Sequence, residues 1–393
     1  MSSNLADRKV IISFFTHTAL VQVITFVLRP TATYRAIELD VDVYWLGLLG
    51  ASFAVVPLVL ALPSGQAVDR FGEGRVMLVG SCVVMSATLL FTFGASTISG
   101  VVVASVLLGL GHLCSVVGQQ AMVANNTSAS SYDRAFGHYT FAASLGQALG
   151  PGLIILSGGR EAIPVTHTIF LWSLALSAAL VVLSRILLTP AGRANQKKAA
   201  SEGSVRDLLR TPGLLHALTV SCVVLAAVDI TLVYLPALGA ERGIAAGTVG
   251  ILLAVRAAAS MTSRLFLGSL VARFRRERVL MGSIAMAAGG LAVSAVPLPV
   301  WVLLSVVAVL GFGLGAGQPI TMSWLAEIAP PGLRGRAMSL RLTGNRLGQV
   351  VLPSMAGLLA VSAGPSGVLL LTAGGLAAVG VSARSINRSK PSE

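Results

Sequence analysis

Long apolar runs alternate with short polar breaks along almost the whole chain. Runs of about 20 residues, the length a helix needs to cross a bilayer core at ~1.5 Å per residue, fall near 10–30, 43–64, 76–96, 100–122, 136–158 and 165–188. They resume near 213–236, 247–267, 279–297, 299–324, 337–361 and 365–384. The pattern predicts twelve membrane-spanning helices, an even number that brings both chain ends out on one side. The one long polar stretch, 189–212, contains Gly, Pro and the pair Lys197 and Lys198, and it separates a first half, 1–188, from a second, 213–393. It reads as a tether with room for a short amphipathic helix over Val205–Leu209.

The breaks are not all independent. Gly65 to Val76 reads G-Q-A-V-D-R-F-G-E-G-R-V, a solvated turn in which Gly65 and Gly72 permit tight backbone and Asp69, Arg70, Glu73 and Arg75 crowd together. Gly268 to Val279 reads G-S-L-V-A-R-F-R-R-E-R-V, with Gly268, Arg273, Phe274 and Arg278 standing for Gly65, Arg70, Phe71 and Arg75. Leu145-Gly146-Gln147 followed by Pro151 returns as Leu347-Gly348-Gln349 followed by Pro353, and Leu108-Gly109-x-Gly111 returns as Leu310-Gly311-x-Gly313. All three pairs keep a spacing of 202 or 203 residues, the mark of two parallel copies of one unit.

Composition adds the solvent and the orientation. With 55% hydrophobic and 11% charged residues and a mean hydropathy of +0.84, the chain is far from the roughly 25% charged residues of a soluble domain, so it reads as an integral, multi-pass protein of the cell membrane. The net charge of +13 does not point to nucleic acid, because the basic residues occupy alternate loops and no exposed face interleaves them with aromatics. Only Arg35, Arg160 and Arg242 fall in loops opposite the termini, which places the termini and the tether in the cytoplasm. Cys82, Cys114 and Cys222 all lie inside apolar runs without metal-ligand spacing and read as core residues. The run Val10–Leu28 is too long for the apolar part of a signal peptide and reads as the first retained helix.

Twelve helices in two parallel repeats, with a G-x-x-x-D-R-x-G turn after the second helix and a degenerate copy after the eighth, resemble the major facilitator superfamily over essentially the whole chain. The resemblance implies an all-α membrane fold of two six-helix bundles. It also implies gating by the turn residues Gly65, Asp69, Arg70, Gly72 and Arg75, with Asp69 docking near Arg341 at the start of helix eleven. Helix five, with Gly137, Gly146, Gly150 and Pro151, is similar to the glycine and proline signature of the drug and proton antiporters in that superfamily; small residues so spaced let a neighbouring helix approach, and Pro151 permits a bend. The family's closing glycine pair is here Ile154-Ile155, and no basic residue stands near Ser105 in helix four, where many antiporters have one.

Charge inside a bilayer costs roughly 2.5 to 3.5 kcal/mol per group on insertion scales, so each instance invites a reason. Asp229 is the one carboxylate well inside an apolar run, and Arg256 stands at comparable depth on helix eight. The two read either as a buried ion pair that holds helices together or as a carboxylate that exchanges its proton during turnover. Arg346, near mid-bilayer on helix eleven, has Ser144 as its repeat partner, and an arginine facing a cavity attracts an anionic or strongly polar substrate. Arg29, beside Pro30, is expected at the outer end of helix one, where its head reaches the interface or guards the mouth. His17 and Gln22 on helix one, His112 and Gln119 on helix four, Gln147 on helix five and Gln318 on helix ten are further candidate cavity-lining groups; helices one, four, seven and ten line the cavity in the family the chain resembles, so the resemblance favours His17, His112 and Asp229. His112 stands near the midplane and is a second proton-coupling candidate.

No phosphate-binding loop, metal-ligand cluster or nucleophile with its base appears, so the chain reads as neither an ATP-driven pump nor an enzyme, and as needing no cofactor or metal. The reading that follows is a monomeric secondary transporter whose partners are a small-molecule substrate, protons and the lipid bilayer. Proton-coupled export of small organic molecules, amphipathic or anionic, leads. Proton-coupled uptake of an organic anion is the alternative motivated by Arg346 and Arg256, and a non-transporting membrane sensor is a third.

Overall fold

The computed structural model describes residues 2–126, 132–158, 161–188, 213–328 and 334–387, and every regular element among them is helical. In chain order these are α1 (Ser2–Glu38), α2 (Val43–Phe71), α3 (Glu73–Gly94), α4 (Ile98–Asn125), α5 (Tyr132–Leu149), α6 (Gly152–Gly158), α7 (Thr166–Ile186), α8 (Leu214–Glu241), α9 (Ala246–Leu265), α10 (Leu267–Phe274), α11 (Arg276–Ser294), α12 (Val300–Ile328) and α13 (Arg334–Asn387). The tether 189–212, with the helix expected over Val205–Leu209, lies outside the described residues, as does Arg160.

Ten of the described helical spans are long and apolar enough to cross a membrane. One of them, Leu340–Val381, runs 42 residues, about 63 Å if straight and twice the ~30 Å of a bilayer core. It is broken at Gly364, which adopts φ 62 and ψ −174, and so contains the two helices expected near 337–361 and 365–384. With α11, which opens on Arg276, Glu277 and Arg278, the twelve-run pattern is accounted for.

Three boundaries differ from the sequence expectation. Helix one does not end at Pro30: it continues to Glu38 with Pro30 inside it, moving Arg29 from the helix mouth into the interior. The solvated turn at Gly65 is shorter than its composition suggests, since α2 stays helical to Phe71 and the chain reverses at Gly72 alone, with φ 87. Helix five is split at Pro151, which has no N–H to give to the preceding turn, into α5 and the short α6.

The duplication is visible in how the backbones touch. A Cβ on Gly109 of α4 would collide with the Phe53 carbonyl of α2, and one on Gly311 of α12 with the Arg256 carbonyl of α9. Gly111 likewise meets Gly80 and Val84 of α3, where Gly313 meets Ser283 and Ala287 of α11. Gly146 meets the Ala19 carbonyl of α1, where Gly348 meets Cys222 of α8. Each contact in the first half thus has its counterpart 202 or 203 residues on. Gly150 extends the contact with α1 to Val23 and Phe26, so the close approach expected of Gly146 and Gly150 is made by α1.

At the end of the bundle that carries the α1–α2 turn, here the distal end, the halves meet in close backbone contact. Gly47 of α2 faces Gly357 and Pro353 of α13, a built Cβ standing 2.5 Å from the Gly357 Cα. Gly158 of α6 abuts Gly247 of α9, and the Ala246 N–H donates to the Glu161 carbonyl at 2.6 Å. The distal arginines have a repeated task. Arg35 donates to the Ala95 carbonyl at 2.7 Å, and Arg242 donates to the carbonyls of Ala295 and Val296. In each half an arginine thereby satisfies the free carbonyls that end the third helix of the repeat.

Candidate translocation site

The extended α1 carries Arg29 to the seam between the halves, where it meets Asp229 of α8. The ion pair is 2.5 Å long and both groups are buried, at 8% and 3% exposure. Since α8 continues through Pro236 to Glu241, Asp229 is twelve residues from its distal end, about 18 Å by helical rise and deeper than its distance from Pro236 suggests. Gln349 of α13 donates its amide N–H to the second carboxylate oxygen at 2.6 Å and accepts from Arg346 at 2.9 Å. A chain Arg29–Asp229–Gln349–Arg346 therefore crosses the seam, with one carboxylate in contact with both halves.

The Arg29 guanidinium also lies 4.5 Å from the centroid of the Phe53 ring of α2, a cation–π geometry. His112 of α4 packs on Phe53 at 5.5 Å between centroids and pairs its Nδ1 with the Thr25 hydroxyl of α1 at 3.1 Å. His112 thus shares the Phe53 ring with Arg29 and lies within electrostatic reach of Arg29 and Arg346. Around Arg29, Leu49, Phe53, Ser105, Leu108 and Val233 leave about 10 Å³ of free space, room for about one water.

Arg256 does not make the ion pair its depth suggested. Asp229 pairs with Arg29, and Arg256, 3% exposed, has a buried Nε without a hydrogen-bond partner. The reason lies in the helix ends: Asp229 is reached by Arg29 from across the seam once α1 runs past Pro30. Arg341 is buried and donates to the Gln318 side chain of α12 at 2.5 Å, and Gln318 in turn donates to the Ser221 carbonyl of α8 at 2.7 Å. Arg341 is therefore tied within the second half. The Asp69 side chain lies outside the described residues, while Arg70 and Arg75 of the gating turn are exposed.

His17 is fully buried inside the first half, where Nε2 meets the hydroxyls of Ser81 on α3 and Ser184 on α7 at 3.1 and 2.9 Å and Nδ1 meets Gln119 of α4 at 2.9 Å. It joins helices within one bundle and does not reach the seam chain. Gln22 and Gln147 meet each other at 3.4 Å across the α1–α5 contact. Of the sequence candidates, the seam thus gathers Arg29, Asp229 and Arg346, with His112 alongside.

Three contributors were missed. Gln349 carried a signal, because it is the repeat partner of Gln147. Phe53 carried none, being one of many apolar residues in α2. Arg264 is half-buried and crosses the seam to the Ser144 hydroxyl at 3.0 Å; its repeat mate is Ala61, inside the apolar run of α2. Among the described residues Asp229 is the one buried carboxylate, against buried Arg29, Arg256 and Arg341.

Two duplicated helical bundles, clasped at one end and sharing a buried ionic chain, have the architecture of an integral multi-pass membrane transporter. The Major Facilitator Superfamily model matches residues 10–242 and 217–393, together nearly the whole length, and the chain belongs to that family. Among curated proteins it is 26% identical over 151 residues to Multidrug resistance protein 1 of Bacillus subtilis (strain 168), covering 38% of each chain. It is 25% identical over 189 residues to the Efflux pump azaK of Aspergillus niger, covering 46% of this chain and 40% of that one. The alignments thus span well under two thirds of those relatives. Solved structures share the fold at low identity. A point mutant of the nucleoside transporter NupG superposes with a TM-score of 0.80 at 15% identity, covering 96% of this chain and 99% of that one. The D-xylose-proton symporter superposes with a TM-score of 0.73 at 16% identity, covering 97% and 98%.

Proposed function

We propose that this chain is a proton-coupled secondary transporter of the cell membrane that exports small organic molecules, amphipathic or anionic, by alternating access of its halves 1–188 and 213–393. The observation that carries the coupling is Asp229, a single carboxylate bonded at once to Arg29 of the first half and Gln349 of the second. Neutralising it removes the charge that holds Arg29 across the seam, so one proton alters the contact between the bundles. The distal clasp is closed here while Arg70 and Arg75 of the opposite turn stay exposed. That supports a carrier in which the two ends open in turn, with the terminal end cytoplasmic. The efflux relatives and the glycine packing of α5 on α1 support the outward direction.

The sign of the coupling depends on the charge of the substrate. A substrate group that engages Asp229 displaces both Arg29 and the proton, so proton and substrate exclude each other, as exchange demands. An anionic group instead needs Arg29, Arg256 and Arg346, which become available when Asp229 is protonated; proton and anion then bind together, as symport demands. The buried arginine surplus favours this second reading, uptake of an organic anion. A non-transporting sensor has no observation in its favour. Flux in proteoliposomes under an imposed pH gradient separates the readings: export by exchange predicts substrate accumulation on the acidic side and anion symport predicts it on the alkaline side, either one abolished in Asp229→Asn with substrate exchange at zero gradient retained. Accumulation indifferent to the gradient, or gradient-driven flux surviving in Asp229→Asn, overturns the proposal.

A further inference from the structure

The turn after α10 differs from its counterpart in the first half in a way that transport does not use. Helix α10 has no buried residue, and Arg273, Arg275, Arg276 and Arg278 follow one another with Glu277 as the only acid among them. Arg273, Arg275 and Arg278 are exposed. Directly beneath lies a groove of about 220 Å³ lined by Leu270, Phe274, Val279, Met286, Phe312 and Ala316, with Arg278 at its mouth. From Arg278 to Met286 the α11 wall descends about 12 Å by helical rise, against about 15 Å for half a hydrocarbon core. Gly282 forms part of the wall, and a Cβ built on it meets nothing within 4 Å. In the first half the equivalent turn carries Asp69 and Glu73 against Arg70 and Arg75, and Val79 stands where the second half has Gly282.

A largely apolar slot with Arg278 in its lining and exposed Arg273 and Arg275 on the turn above it has the chemistry of one occupant. We infer that the α10–α11 turn and the groove below it bind an anionic phospholipid of the surrounding membrane, its phosphate against Arg278 and Arg273 and one acyl chain along Gly282 between α11 and α12. The charge surplus selects the headgroup, since juxtamembrane arginines are drawn to an anionic surface, and the missing side chain at Gly282 admits the chain.

The site is tested by titrating the detergent-solubilised full chain with dioleoyl phosphatidylglycerol or dioleoyl phosphatidylcholine and counting retained lipids by native mass spectrometry. Phosphatidylglycerol is expected to be retained several-fold over phosphatidylcholine. The double variant Arg273→Gln/Arg278→Gln should erase that preference, and Gly282→Leu should reduce retention of both lipids while leaving the melting temperature unchanged, because its side chain enters open space. The matched first-half double variant Arg70→Gln/Arg75→Gln should leave the preference intact. Equal retention of the two lipids by the unaltered chain overturns the inference. So does a preference that persists in Arg273→Gln/Arg278→Gln, or that is lost only with the first-half arginines.

Discussion

The two halves of this transporter have nearly the same skeleton and quite different interiors. Gly109 against Phe53 and Gly311 against Arg256 are one backbone contact made twice. Yet the residue whose carbonyl is touched is a phenylalanine in one copy and a buried arginine in the other. In the first half the polar interior closes on itself, His17 binding Ser81, Ser184 and Gln119. In the second half Asp229, Gln349 and Arg346 connect at the seam, and Arg256 has an unpartnered nitrogen. Small residues fix the frame because helix association in lipid depends on close packing. The side chains that differ between the copies are those left to engage a substrate.

The largest expected effect comes from breaking the one ion pair that spans the difference. Asp229→Ala leaves the Arg29 charge buried and unpaired, which costs about 3 to 5 kcal/mol. A chemical or thermal unfolding series of the solubilised protein should show a loss of that order. Replacing both partners, as in Arg29→Met/Asp229→Leu, should recover most of the stability, because an apolar pair needs no desolvation of charge, while gradient-driven transport stays lost. If the double variant is as unstable as the single, the pair is not an isolated energetic unit and the chain through Gln349 and Arg346 contributes the missing part.

Much of this frame was legible in the sequence, because the information that sets it is local or periodic. Apolar runs gave the spans, and the repeat of Gly109, Gly111 and Gly146 at Gly311, Gly313 and Gly348 gave the paired contacts. The partner of Asp229 was not legible, for a physical reason. Pro30 weakens a helix on average, but in α1 the chain continues helical to Glu38, and two added turns move Arg29 from an interface into the seam. Which helix face points inward is likewise a tertiary matter: nothing in the local pattern distinguishes His17, which is enclosed by its own bundle, from Arg29, three turns further along the same helix.

A second break acts on the clasp. Gly47→Val places a branched side chain where a Cβ alone would stand 2.5 Å from the Gly357 Cα, so α2 and α13 must separate at the distal end. Overpacking of this kind costs about 1 to 3 kcal/mol, a smaller loss than the broken ion pair and one confined to the closed state. Spin labels on the distal ends of α2 and α13 should report a longer distance in Gly47→Val than in the unaltered chain. The equivalent branched residue at Gly65, where a built Cβ meets nothing, should leave it unchanged. An unaltered distance in Gly47→Val would mean that the halves do not hinge at this contact.

The smallest expected change in stability is also the one that separates the two interiors most sharply. Removing Arg256 takes away a buried cation with an unpartnered Nε, so Arg256→Met has no ion pair to lose and should leave the melting temperature within about 2 to 4 °C of the original, the shift that ~1 kcal/mol gives for a unit of this size. Its effect should fall on binding instead: losing one charge-assisted contact of about 1.5 to 3 kcal/mol weakens an anionic tracer roughly ten- to hundred-fold. His17→Leu in the first half should do the opposite. It strands the Gln119 amide N–H, while Ser81 and Ser184 keep each other and the Met77 and Leu180 carbonyls, and costs about 1 to 3 kcal/mol of stability, but leaves tracer affinity untouched because no group at the seam changes. Should Arg256→Met destabilise the protein without altering binding, Arg256 belongs with His17 as part of the frame. The division between a self-satisfied first half and a substrate-facing second half would then have to be drawn through Arg29, Asp229 and Arg346 alone.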